Sequence, residues 1–150
     1  MTLFLLAVIV LGLMCGSELN VGAFAHPTFS RLPLEVHIPT RKSFAVLFGR
    51  VMPFWMAGST LLNLLLLLPF EHLNRCSWRL AAASFALQVF AVVFSLLGPV
   101  PINNRIARWT LETLPEDWRA QERRWDVYHA LRTTGLIVAF AFLALGIRGA

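Results

Sequence analysis

Four long apolar runs, at residues 3–25, 44–68, 78–98 and 133–147, leave this chain few ways to fold. Each supplies the roughly 20 residues that a helix needs to cross a hydrocarbon core, the last once its helical pattern is followed backward. With 57% hydrophobic and 14% charged residues among 150, the chain has too little polar surface for a water-soluble domain of its size. In lipid every backbone N–H and C=O must find its partner within the protein, so such runs become helices. The expectation is an all-α, integral membrane four-helix bundle, up-and-down, forming one domain over residues 1–150, with no internal repeat.

The connections differ in kind. Residues 27–43, PTFSRLPLEVHIPTRKS, carry three prolines and no sustained period, and read as an ordered re-entrant or surface loop. PFEHLNRCS is short, which makes the second and third spans an antiparallel pair. After GPVP, Asn103 or Asn104 is expected to cap a short interfacial helix, and Pro115-Glu116-Asp117 to open the last helix. Run from 116 to 146, that helix would measure about 45 Å at about 1.5 Å per residue, so its first turns project from the bilayer. AFA before His26 imitates a signal-peptidase site. No basic residue precedes the apolar run, however, and Glu18 lies close to the would-be cut, so the segment is read as a retained span.

The net charge of +5 flanks the membrane, and no nucleic-acid-binding module accompanies it. Arginines concentrate in the first and third connections. The positive-inside rule then puts those connections in the cytoplasm and both termini on the non-cytoplasmic side, in a bacterial inner membrane. Cys15 and Cys76 fall too far apart along the bundle to bridge.

Up-and-down threading brings most of the unexpected polar residues to one end: Glu18, Asn20 and His26 from the first span, Arg50 from the second, Ser95 with Asn103 and Asn104 after the third, and Asp126, His129 and Arg132 from the fourth. An ionised side chain within a span costs on the order of 2.5 to 3.5 kcal/mol, so these groups turn inward and pair. Glu18 is expected to face Arg132, His129 or Arg50. On the last helix Trp118, Glu122, Trp125, His129, Arg132 and Leu136 recur at steps of three and four and share one face. Each group also has a plainer reading. Glu18 with an arginine fixes helix register; Trp109 and Trp118 form an interfacial belt. His26 ends a helix, His37 and His72 are loop residues without a role, and Gln88 and Asn63 hydrogen-bond across helices.

GPVPINNRIARW followed by WRAQERRWDVYHALR resembles the small four-span family of fungal and bacterial anthrone oxygenases. The likeness runs through Pro101-Ile102-Asn103, a tryptophan, and the His-x-x-Arg of His129 and Arg132. GSELNVGAFAHP and FGRVMPFW are similar to a bacterial subgroup of it. The resemblance implies an enzyme of the lipid bilayer that uses dioxygen to convert an anthrone, a flat tricyclic phenolic ketone, or a related small hydrophobic aromatic or quinol-like substrate. His129 or Glu18 would remove the methylene proton, Arg132 with Arg50 or Asn103 would stabilise the enolate oxygen, and Trp125 would stack on the ring.

That chemistry needs no cofactor. A metal version would place iron or copper on Glu18 and His129 with His26 as a third ligand, or a haem on a histidine. Two other readings stay open, a scaffold or transporter subunit held by a Glu18–Arg132 pair, and a metal- or haem-binding membrane protein; a homodimer is compatible with each. A cavity of roughly 300 Å³ or more beside His129 favours the enzyme, and a site filled by side chains favours the scaffold.

Overall fold

The computed structural model describes residues 1–68 and 73–147; His72 and Arg148 lie outside the described residues. The elements are α1 (Thr2–Asn20), a π-helical turn (Val21–Ala25), α2 (His26–Phe29), α3 (Leu34–Leu66), α4 (Arg75–Leu97), α5 (Pro99–Ile106) and α6 (Trp118–Gly146). The first three form one rod, Thr2–Phe29. With α3, α4 and α6 it makes four helices long and apolar enough to cross a membrane. No strand occurs among the described residues. The chain is an all-α membrane bundle. α1 packs on α3 and α6, α4 packs on the same two, and short α5 leans on α3, α4 and α6 at one end.

Why these faces turn inward is visible in the spacing. Phe4, Ala7, Leu11, Met14, Glu18 and Val21 are buried at alternating steps of three and four. Ser77, Ala81, Ser84, Gln88, Ala91 and Ser95 keep the same rhythm on α4, and Trp125, His129, Arg132, Leu136, Ala139 and Leu143 keep it on α6. Such a seam keeps one stripe of each helix against its neighbours. At one end it is hydrocarbon, with Phe4, Leu11, Leu66, Leu136 and Leu143 in a single cluster. The small residues of α4 let backbones approach, and two polar contacts join α4 to α3 there. Ser59 Oγ donates to Gln88 Oε1 at 3.1 Å, and Asn63 meets Ser84 Oγ at 2.9 Å.

Five expectations need correction. The segment read as a loop at 27–43 is mostly helix: α3 begins at Leu34, directly after Pro33, and continues through Pro39. Pro39 forgoes one backbone bond, but Ile38, Arg41 and Ala45 extend the buried seam, and that packing outweighs the loss. His26 does not end a helix, since α2 continues through Pro27 to Phe29. Neither Asn103 nor Asn104 caps α5, which starts at Pro99, where a fixed φ and a missing N–H suit the first helical position. Trp109 is buried against Ile38, Ile106 and Trp125 rather than standing in an interfacial belt. α6 starts two residues after the expected Glu116, with Trp118 N donating to Pro115 O at 3.1 Å in the preceding turn.

Candidate functional site

From Val21 to the next buried residue of the first rod, His26, is five positions, one more than the seam allows. The π-helical turn absorbs that extra residue and keeps His26 inward, a use of the wide turn common at functional sites. The turn also seats His129. A Cβ at Gly22 would stand 2.9 Å from His129 Cδ2, so only a bare backbone lets the imidazole lie this close.

Inside the turn, three charged or polar groups from α1 and α6 interlock. Glu18 is 2% exposed and Arg132 8%, and Arg132 Nη2 donates to Glu18 Oε2. Arg132 Nη1 donates to Ser95 Oγ on α4 at 3.2 Å. His129 Nε2 lies 2.9 Å from the Glu18 carbonyl oxygen. A carbonyl only accepts, so Nε2 carries the ring proton and Nδ1 holds the lone pair. Nδ1 accepts from Arg132 Nη2 at 3.2 Å, and Glu18 Oε2 is 3.3 Å away. Both nitrogens of His129 are thereby engaged within the bundle. Glu18 Oε1 and Arg132 Nε are buried and have no hydrogen-bond partner among the described residues.

A second cluster closes the outer end. Arg41 Nε donates to Glu122 Oε1 at 3.0 Å, and its Nη1 donates to His26 Nε2. His26 Nδ1 then donates to Asp126 Oδ1 at 3.0 Å. His37 reaches Glu122 Oε1 at 2.8 Å through Nε2 and the Phe29 carbonyl oxygen at 2.7 Å through Nδ1. Trp125 joins the clusters: His129 stacks on it at 4.5 Å and 13°, His26 tilts against it at 4.4 Å, and the Arg41 guanidinium lies 4.9 Å from its ring centre.

Beside these groups is a half-open cavity of about 240 Å³. Glu18, His129 and Arg132 form its polar wall; Phe44, Phe48 and Met52 of α3 and Leu96 of α4 form the apolar one. Asn103 also lines it, and its Nδ2 donates to the Ala45 carbonyl at 2.9 Å, tying α5 to α3.

A sequence model of the family described as anthrone oxygenase matches residues 43–142, two thirds of the chain. The chain belongs to the anthrone oxygenase family. No curated protein and no solved structure matches it. Asn103, Trp125, His129 and Arg132 fall within the anthrone oxygenase match, and Glu18, His26 and Arg41 lie ahead of it.

For an anthrone oxygenase family member, the cavity brings together Glu18, His129, Arg132, Asn103 and Trp125 of the residues singled out from the sequence, and omits Arg50. Arg50 is exposed and lines no part of the cavity, because one helical step from Gly49 turns a side chain by about 100°. The proposed metal set of Glu18, His129 and His26 does not assemble. The His26 and His129 rings are 6.2 Å apart, a guanidinium occupies the carboxylate, and among the described residues no three His, Cys, Asp or Glu groups converge on a metal position. Sequence reasoning missed Arg41, His37, Phe44 and Phe48. Continuing the α3 seam backward from Asn63 through Ser59, Met56, Met52 and Ala45 would have reached Arg41.

Proposed function

We propose that this protein oxidises a small hydrophobic aromatic of the anthrone or quinol type with dioxygen, and that Glu18 is its base. The observation that carries the reading is the Glu18 carboxylate, held by Arg132 through one oxygen while the other is buried and has no hydrogen-bond partner among the described residues. A buried lone pair without a partner is costly to leave unmade, and a substrate proton offsets that cost.

For an anthrone the steps balance without an added cofactor. Glu18 takes one methylene proton, and the charge that moves onto the ketone oxygen is stabilised by the Arg132 guanidinium. The enolate passes one electron to dioxygen, and the resulting superoxide and carbon radical combine to a carbon-bound peroxide anion. Glu18 returns its proton to the peroxide, accepts the remaining C–H proton as the O–O bond breaks, and delivers it to the departing hydroxide. One oxygen atom ends in the new carbonyl and the other in water; the carbon loses four electrons and dioxygen gains four. Phe44 and Phe48, themselves stacked at 5.6 Å, supply the aromatic wall. Trp125, already covered by His129 and Arg41, instead fixes the orientation of His129.

The alternative, a scaffold in which Glu18 and Arg132 only hold helices in register, has one observation in its favour: 240 Å³ falls short of the roughly 300 Å³ expected of a ligand site. An apolar cavity of about 150 Å³ already holds a benzene, so the enclosed space takes one or two rings and a third extends into the open side. Oxygen uptake with anthrone, followed together with quinone absorbance, tests the choice. The wild type should consume one dioxygen per quinone, and Glu18→Gln should lower kcat by about a hundredfold or more. Wild-type turnover no faster than empty lipid would end the enzyme reading.

A further inference from the structure

The open side of the cavity lies between α3 and α4. Its α3 edge is Gly49, Pro53 and Ala57, one residue per turn, exposed and without bulk. Pro53 has no N–H to offer the Gly49 carbonyl, so this edge also lacks a helical hydrogen bond. Across from it stands Leu96 of α4, 61% exposed. Phe54 on α3 is 79% exposed and Val93 on α4 50% exposed beside the opening, and the exposed polar residues Arg50 of α3 and Asn104 of α5 stand at its end toward α5. Both α3 and α4 are long and apolar enough to cross a membrane.

The α3–α4 pairing explains why a gap exists there. Ser59–Gln88 and Asn63–Ser84 bind the two helices at one end, and among the described residues no side-chain hydrogen bond joins them beside the cavity. On its outer side the cavity is lined by Arg41, which pairs with Glu122 and Asp126, and by Trp125 beneath the guanidinium.

We propose that the site is loaded sideways from the bilayer: a flat, lipid-dissolved aromatic enters between α3 and α4 through the slot bounded by Gly49, Pro53, Ala57 and Leu96, and reaches Glu18 without passing through water. The inference rests on the aromatic-substrate reading above and adds the route and the phase from which the substrate comes. Dioxygen, itself more soluble in hydrocarbon than in water, shares the route.

The test is anaerobic binding, so that turnover plays no part. Full-length protein is reconstituted in vesicles, anthrone is supplied in the lipid under argon, and association is followed by stopped-flow fluorescence. Ala57→Phe narrows the slot and should slow association and dissociation alike by about tenfold, while Val93→Phe, outside the slot, behaves as wild type. Leu96→Ala widens the slot and should speed association, which keeps the test decisive where a bulky variant fails to assemble. Unchanged association in the slot variants, with saturable binding by the wild type, overturns lateral entry and leaves the proposed function intact. Absence of saturable binding by the wild type overturns the proposed function and this inference with it.

Discussion

Glu18 and Arg132 each stand inside a span, and each makes the other tolerable. Removing one partner of such a buried pair strands a charge and costs about 3 to 5 kcal/mol, whereas replacing both by neutral groups of similar shape is often harmless. The single Glu18→Gln variant therefore loses stability as well as turnover, and on its own does not separate a structural pair from a catalytic one. The pair of substitutions does. Glu18→Gln with Arg132→Gln should recover most of the thermal stability lost by either alone, since the remaining amides can bond each other and Ser95. With Glu18 as the proposed base, turnover should stay at the level of the single variants, because the carboxylate is gone; activity that returns would point to His129, whose Nδ1 loses its Arg132 donor in the double variant. Thermal unfolding in detergent and oxygen uptake on the same four proteins give the answer. Joint recovery of stability and activity would reduce the pair to a register device.

At the scale of the element, the π-helical turn and the start of α3 decide which side chains line the site. Gly22 sits where helix propensity and sterics oppose each other. Alanine in a helix is favoured over glycine by roughly 0.5 to 1 kcal/mol, so Gly22→Ala would stabilise a free helix. Here its methyl would meet the His129 ring at 2.9 Å, and neither the backbone nor a ring stacked on Trp125 yields easily. We expect Gly22→Ala to lower both melting temperature and kcat; a gain in stability with full activity would show that the imidazole is not seated on the turn. The same two elements mark what the amino-acid order makes legible. The meeting of Glu18, His129 and Arg132 follows from the cost of burying charge and from the three-and-four spacing on α6, both readable without coordinates. Arg41 is hidden by Pro33 and Pro39, which imitate a loop although one precedes the helix and the other loses a single bond. His26 is legible as one of the polar groups at this end, but the five-residue step that keeps it on the buried face of a continuing helix is not. Arg50 misleads for the opposite reason, since polarity near the site says nothing of which way a side chain turns.

Across the whole molecule, the interhelical contacts of α3 and α4 begin within a turn of the cavity and run away from it. The Ser59, Asn63, Ser84 and Gln88 contacts and the hydrocarbon cluster hold that stretch, and the ion pairs lie at the cavity. If the slot between α3 and α4 is to admit a ligand, the helices must be fixed elsewhere, and Gln88 is central to that fixing. It accepts from Ser59 at 3.1 Å and donates to Ser84 at 3.3 Å, so its loss disturbs both helices at once. Gln88→Leu keeps the apolar volume and removes the bonds. Interhelical hydrogen bonds in membranes are worth about 0.6 kcal/mol on average and up to about 1.7, so the variant should lose stability on that order while kcat at saturating substrate stays within about twofold. Chemical unfolding in mixed micelles measures the first, and oxygen uptake the second. A collapse of kcat in Gln88→Leu would mean that the geometry around Glu18 depends on the α3–α4 contacts just beyond the cavity.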